Sequence, residues 1–163
     1  MRIVGIDAST KATGLAMIEY GELIEFTAIN MEKEKDADVR IDAMIRGIDK
    51  CLKEWDPHVV FVEQPWMGNN MQTAMKLAFI IGSIRHICLE TNAGFNLILP
   101  SEWRKVVGIS MGKKKRPELK AEAIDYVKTN YDIDPTEDEC EAICIANAAY
   151  VLTDGGAIFC KED

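Results

Sequence analysis

The segment HVVFVEQ, residues 58–64, restricts the fold of this chain more than any other stretch. Its apolar run follows Pro57, which ends a preceding segment of helical spacing. A short strand that is apolar throughout is typical of a parallel sheet covered on both faces. Residues 2–7, RIVGID, show the same pattern. We therefore predict an α/β fold with a central sheet and helices on both of its faces.

Apolar spacing and turn residues divide the chain into elements. The predicted strands are residues 2–7, 13–19, 22–29, 58–64 and 95–99. The predicted helices are residues 38–54, 70–90, a short helix opening at Ser101, 117–129 and 137–152. Because Tyr20–Gly21 joins the second and third strands as a hairpin, the sheet is expected to be mixed. With no repeat or linker, residues 1–163 are expected to form one domain.

The composition is that of a globular protein, with 48% hydrophobic and 28% charged residues in a chain of 163. No apolar run approaches the roughly 18 residues of a membrane span, and the early Asp7 argues against a signal peptide. The five cysteines include no Cys-x-x-Cys pair, which argues against a disulfide framework or a zinc ribbon. A reducing, cytoplasmic setting is therefore expected.

Four acidic residues stand beside or among apolar ones. Asp7 and Glu63 end the two apolar strands, and open α/β sheets form their sites at such carboxyl ends. Asp138 and Glu141 lie about 60° apart on the last helix, on a face with small apolar residues. Simpler explanations exist, since acids after strands are often solvated and Asp138 could cap its helix. Glu141 has no such explanation, and few basic residues are placed to pair with it.

A single basic segment lies in an otherwise acidic chain. Residues 101–120 contain seven basic and two acidic residues, whereas the net charge of the whole chain is −8. Concentrated positive charge indicates a docking surface for a polyanion, although a lysine cluster is more often only a solvated run. Converging acids need divalent cations, and oxygen ligands select Mg²⁺ or Mn²⁺. This combination is what two-metal cleavage of a phosphodiester requires.

Four blocks of the sequence resemble the RuvC family of Holliday junction resolvases, in the family's order and spacing. They are GIDAST with the TG at 13–14, FVEQPWMGNNMQTAMKLAFIIGSIR (61–85), WRKVVGISMGKKK (103–115) and DECEAICIANAA (138–149). The resemblance implies an RNase H-like fold and a homodimeric endonuclease with two Mg²⁺ ions per site, for which Mn²⁺ can substitute. The short acidic chain resembles the phage-encoded branch, which implies action in the cytoplasm of a bacterial host.

The family's catalytic and metal-binding carboxylates correspond to Asp7, Glu63, Asp138 and Glu141. Two departures from the family pattern matter. Ala8-Ser9 stands where the family usually has Pro-Gly, and Glu141 stands where it usually has Asp. The extra methylene moves the carboxylate by about 1.5 Å unless the backbone compensates, so the metal preference or the spacing is expected to differ.

The resemblance also implies contacts with DNA. Trp66 is expected to insert among bases at the branch point, where stacking is worth about 1–3 kcal/mol; the alternative is a tryptophan folded back on the core. One lysine from Lys113 to Lys115 is expected to reach the scissile phosphate. The expected phosphate contacts are Arg104, Lys105, Lys113, Lys114, Lys115 and Arg116.

The helix predicted at 70–90 has too wide an apolar arc for burial on one side. One stripe consists of Leu77, Ile81, Ile84 and Cys88, and the other of Met71, Met75, Ala78, Gly82 and Leu89. We assign the first stripe to the sheet and the second to a two-fold partner, which predicts a homodimer. The alternative is a helix buried entirely within one domain.

Three other functions share some of these sequence features. A nuclease acting on RNA or an RNA–DNA hybrid would have the same metal site and is the main alternative. A sugar-kinase or actin-like ATPase shares the sheet, but its two lobes need a longer chain than 163 residues. A junction-binding protein that does not cut would gain nothing from acids beside phosphates. The favoured function is a structure-selective endonuclease that resolves branched DNA by paired nicks.

Overall fold

Ten elements lie within residues 1–65, 70–109 and 112–153, the part of the chain that this computed structural model describes. The strands are β1 (Arg2–Asp7), β2 (Ala12–Glu19), β3 (Glu22–Asn30), β4 (Val59–Glu63) and β5 (Gly94–Ile98). The helices are α1 (Ala37–Trp55), α2 (Met71–Glu90), α3 (Pro100–Val106), α4 (Arg116–Tyr131) and α5 (Glu137–Leu152). All predicted elements are confirmed, with ends within two residues of the expected positions. No helix in this described part is long and apolar enough to cross a membrane.

The strands form one mixed sheet in the order β3-β2-β1-β4-β5. β1, β2 and β3 pair antiparallel, whereas β4 and β5 run parallel to β1. The hairpin between β2 and β3 turns at Tyr20 and Gly21, whose φ angles of 51° and 84° suit a tight two-residue turn. Ile6 of β1 pairs with Val62 of β4. The next residue of each strand therefore lies at the same edge of the sheet.

Helices cover both faces of the sheet, as the apolar strands predict. The core on one face joins Ile3 and Phe61 of the sheet to α3, α4 and α5. The core on the other face joins the alternate strand residues to α1 and α2. Because alternate residues of a strand point to opposite faces, Asp7 and Glu63 share the α5 face with Ile3 and Phe61.

Helix α5 lies very close to the sheet because two glycines face it. A Cβ atom on Gly5 would lie 2.3 Å from the backbone nitrogen of Ala146, and one on Gly14 would lie 2.0 Å from the carbonyl oxygen of Asp138. Gly14 also pairs directly with Asp7 across β1 and β2. The first turn of α5 is therefore held against the end of the sheet at which Asp7 lies.

Helix α2 buries only part of the stripe predicted for it, namely Ile84 and Cys88. Its buried residues are Ile80, Ile84, Ile87 and Cys88, whereas the predicted Leu77 and Ile81 are only half-buried. Because the helix is apolar around most of its circumference, spacing alone does not fix the arc that faces the sheet. The second stripe is exposed and includes Phe79 besides the predicted Met71, Met75, Ala78, Gly82 and Leu89. The alternative prediction, that this helix is buried entirely within one domain, is therefore wrong.

Candidate active site

The two strand-end carboxylates lie side by side at one edge of the sheet. Asp7 is the last residue of β1 and Glu63 the last of β4, and the residues before them are paired in register. Because β1 and β4 pair in parallel with Ile6 opposite Val62, the acids that follow these two residues lie next to each other. The structure thus places the two predicted strand-end acids on neighbouring strands, facing α5.

The first two turns of α5 bring two more carboxylates to this edge. Thr136 is the N-cap, and it forms a capping box in which Glu139 accepts from the Thr136 backbone N–H at 2.7 Å. The capping function therefore belongs to these two residues and not to Asp138, the alternative raised by the sequence. Asp138 lies with its backbone against Gly14. Glu141, one turn further on, is only 4% exposed.

These carboxylates perturb one another's ionisation. Burial raises the pKa of Asp7 well above its ordinary value, and the charges of Glu141, Glu63 and Asp138 raise it further. Burial also raises the pKa of Glu63 and of Asp138, and Glu141 adds to both shifts. Like charges held together in a partly buried site favour any cation that can enter it. The site therefore has the electrostatics of a cation-binding site.

Arg104 lies inside this site and not on the exposed surface at which a phosphate contact was expected. Its side chain is 10% exposed, and its Nη2 lies 3.2 Å from Glu141 Oε1 and 4.0 Å from Glu63 Oε2. Its Nε has no hydrogen-bond partner among the described residues. The expectation that basic residues are poorly placed to pair with Glu141 is therefore wrong. Helix α3 packs on α5, so the guanidinium of Arg104 lies beside the carboxylate of Glu141.

Lys120 is a second cation of the site, and the sequence did not single it out. Its Nζ lies 3.8 Å from Glu141 Oε2 and also contacts the Glu137 carboxylate. Burial opposes the charge of Lys120, but Glu137 and Glu141 raise its pKa above the ordinary value. Its charge in turn acts to lower the pKa of Asp7 and Asp138, against the effect of their burial. Lys120 is thus an ammonium group held among the acids.

The other predicted phosphate contacts lie on the surface. Lys105, Lys113, Lys114, Lys115 and Arg116 are all exposed. Lys114 Nζ lies 2.5 Å from Glu122 Oε1, and the charge of Arg116 acts to lower the pKa of Glu63. The basic surface therefore extends to the edge of the acidic site. Trp66 lies outside the described residues, so its insertion into DNA stays a prediction.

Trp103 is a further residue of the site that sequence reasoning missed. It is fully buried, and its indole Nε1–H donates to Glu63 Oε2 at 2.6 Å. The guanidinium carbon of Arg104 lies 4.4 Å from the centre of the indole ring. One signal was available in the sequence, because a tryptophan in the middle of a basic segment needs a buried environment.

The donor chemistry of the site fits a divalent cation. Asp7, Glu63, Asp138 and Glu141 offer only carboxylate oxygens, the donors that Mg²⁺ and Mn²⁺ prefer. Within residues 1–65, 70–109 and 112–153, however, no three acidic, imidazole or thiol groups form a ready-made metal shell. Arg104 and Lys120 neutralise part of the negative charge instead. A cation entering the site would therefore compete with these two side chains for Glu141.

Comparisons with known sequences point to one family. The family model described as "Crossover junction endodeoxyribonuclease RuvC" matches residues 3–148. A protein of that name from Geobacter metallireducens is 28% identical over 160 residues, which cover 91% of this chain and 94% of the relative. Another, from Trichlorobacter lovleyi, is 24% identical and covers 96% of this chain and 90% of the relative. The similarity thus extends through all four acids.

Solved structures share the fold. The RuvC of Thermus thermophilus in complex with a Holliday junction substrate superposes with a TM-score of 0.76 at 16% identity, over 95% of this chain and 97% of that one. The yeast mitochondrial Holliday junction resolvase Ydc2 superposes with a TM-score of 0.59 at 18% identity, over 98% and 82% of the two chains. The predicted RNase H-like fold is therefore confirmed.

Proposed function

Because this chain belongs to the RuvC family of crossover junction endodeoxyribonucleases, we propose that it resolves Holliday junctions and related branched DNA by paired nicks. One observation carries this proposal: acids from β1, β4 and α5 meet at one edge of the sheet, beside an exposed basic surface. The family is one of metal-dependent nucleases, and the donor set of this site suits such an ion. The finer proposals are that the ion is Mg²⁺, with Mn²⁺ as a substitute, and that two ions bind in each site.

Each residue of the site has a proposed role. Asp7, Glu63, Asp138 and Glu141 would hold the metal ions, which would activate a water molecule and neutralise charge on the phosphate. Lys120 binds the scissile phosphate in place of the expected lysine from Lys113 to Lys115, because it is the lysine of the basic segment whose ammonium lies among the acids. The surface cations contact flanking phosphates and fix the register of the DNA. Arg104 balances the charge of the buried Glu141.

The proposed function is tested by incubating the protein with labelled four-way junction, linear duplex or RNA–DNA hybrid, with Mg²⁺ or with EDTA. We expect symmetric nicks in the junction, in the presence of Mg²⁺ only. Preferential cutting of the hybrid would replace the proposal by the RNA-directed alternative. Binding of the junction without any cutting, in Mg²⁺ and in Mn²⁺, would contradict it.

Lys120→Met is expected to slow cleavage by about a hundredfold, the effect of removing one charge-stabilising donor from an active site. Junction affinity should change much less, because the exposed cations remain. Lys128→Met is a matched control on the same helix, since Lys128 is half-exposed and, among the described residues, forms an ion pair only with Asp134, at 2.7 Å. Single-turnover cleavage and a binding titration measure the two effects. Equal rates for the two variants would contradict the role of Lys120.

Reversing Lys113, Lys114 and Lys115 to Glu is expected to weaken binding to junction and duplex alike. Each lost phosphate contact removes about one unit from the slope of log affinity against log salt, so the slope should fall by about two to three units. Reversal of Lys50 and Lys53, which lie on α1 on the other side of the sheet, provides the control. An unchanged slope would mean that the lysine run is only solvated.

The exposed stripe of α2 is proposed as the contact between two protomers. Gly82→Arg tests it well, because a Cβ atom at Gly82 would meet no described atom outside its own helix within 4 Å. We expect monomers that keep the fold but lose paired incision of the junction. Thr73→Arg, on the opposite side of the same helix, should remain dimeric. Sedimentation at micromolar concentration measures both, and a monomeric unsubstituted protein in the presence of junction would contradict the assignment.

A further inference from the structure

Trp103 of α3 is fully buried, and its indole donates a hydrogen bond to a carboxylate of the site. A buried tryptophan needs a partner for its N–H, and a backbone carbonyl would satisfy that need. Here the partner is instead Oε2 of Glu63, at 2.6 Å. A hydrogen bond to an ionised carboxylate is short and about twice as strong as a neutral one.

The two oxygens of Glu63 have different surroundings. Oε2 accepts from Trp103 and lies 4.0 Å from Arg104 Nη2, so α3 holds this oxygen from one side. Oε1 accepts no hydrogen bond from the residues that the structure describes. The indole cannot follow a movement of the carboxylate, since its ring is fully buried in the core between α3 and α5. One oxygen is thereby fixed and the other is left for a ligand.

We infer that Trp103 is a positioning residue, which orients the Glu63 carboxylate for metal binding through its indole N–H. This inference rests on the proposed function, because it takes Glu63 as a metal ligand. Groups that hold a metal ligand in place have large effects on affinity, and their loss typically weakens metal binding or activity about 10–100-fold. The substitution Trp103→Phe separates this role from the packing role of the side chain, because it keeps an aromatic ring in the core and removes only the N–H and part of the ring.

The test measures Mn²⁺ binding to the DNA-free protein by calorimetry. We expect Trp103→Phe to raise the dissociation constant about tenfold or more, and saturating Mg²⁺ to restore most of its junction cleavage. Trp55→Phe is the control, because Trp55 ends α1 on the opposite face of the sheet and is a partly buried tryptophan that packs against the other core. Equal Mn²⁺ affinity of Trp103→Phe and the unsubstituted protein would overturn the inference.

A second measurement does not depend on the stability of Trp103→Phe. In the double variant Trp55→Phe/Trp66→Phe, Trp103 is the only tryptophan left of three. Mg²⁺ binding at Glu63 should change the emission of this indole, and Glu63→Gln should abolish the change. Calorimetrically detected Mg²⁺ binding without an emission change would also overturn the inference. If the unsubstituted protein binds neither Mn²⁺ nor Mg²⁺ and cuts no junction, the proposed function is overturned together with this inference.

Discussion

Asp7→Asn is expected to abolish cleavage and, in the absence of metal, to make the protein more stable. The substitution removes a proposed metal ligand, so the rate should fall by about a thousandfold or more, which corresponds to about 4 kcal/mol of transition-state stabilisation. Burial and three neighbouring carboxylates raise the pKa of Asp7, so its ionised form destabilises the folded state. Without that charge, Tm in EDTA should rise by about 2–4 °C, the equivalent of about 1 kcal/mol in a domain of this size.

The sign of the stability effect can be checked against pH. A carboxyl group whose pKa is higher in the folded than in the unfolded state favours folding below the ordinary carboxyl pKa, and that advantage is lost as the pH rises through the raised value. The difference in Tm between Asp7→Asn and the unsubstituted protein should therefore be largest at pH 8 and shrink toward pH 5. Glu25→Gln, at an exposed position of β3, should show no such trend. A lower Tm for Asp7→Asn at pH 8 would contradict the mutual repulsion of the four carboxylates.

Arg104→Met is expected to destabilise the metal-free protein by about 3 kcal/mol, because it leaves the buried Glu141 carboxylate with the more distant Lys120 as its only cation in the part of the chain that the structure describes. Tm in EDTA should fall by about 6–12 °C. A divalent cation replaces the missing positive charge, so Mg²⁺ should restore Tm in the variant by more than it raises Tm in the unsubstituted protein. Thermal unfolding with EDTA and with Mg²⁺ measures both effects.

Arg46→Met is the matched control for this prediction. Arg46 pairs with Asp42 one helical turn away on α1, at 3.6 Å, and both side chains are more than half exposed. Such pairs contribute little to stability, and Mg²⁺ should have no special effect on this variant. If Arg104→Met is as stable as Arg46→Met in EDTA, Arg104 does not balance the charge of Glu141. If Mg²⁺ fails to restore it, the cation does not bind beside Glu141.

The strand-borne half of the site could be predicted because one pattern fixes both fold and function. The apolar runs that end in Asp7 and Glu63 must pair to be buried, and parallel pairing in register brings their last residues together. The helical half followed from the position of Glu141 among small apolar residues on α5, which required burial. The sequence predicted a metal ion as the counter-charge of Glu141, because few basic residues are placed to pair with it, whereas the structure places Arg104 and Lys120 beside this carboxylate.

Residues that act across elements could not be predicted from local patterns. Arg104 and Trp103 reach the site because α3 docks against α5, and nothing in the spacing of a seven-residue helix fixes that docking. Lys120 lies one turn into α4, shortly after the exposed Lys113, Lys114 and Lys115. Whether it faces the solvent or the acids depends on how α4 is rotated about its axis. The buried arc of α2 was misplaced for a related reason, since a helix apolar on most sides can present several arcs to the sheet.

The contact at Gly14 has a consequence for how relatives of this chain are judged. Any side chain there would have to push the first turn of α5 away by more than about 1 Å to reach an ordinary contact distance from Asp138. Mg²⁺ binds its oxygen ligands at about 2.0–2.1 Å with little tolerance. A relative could keep all four acids and the whole fold, yet lose its metal ion through one methyl group on β2. An inventory of acidic residues is therefore not enough to separate active from inactive members of such a family, and the glycine that faces the helix has to be counted with them.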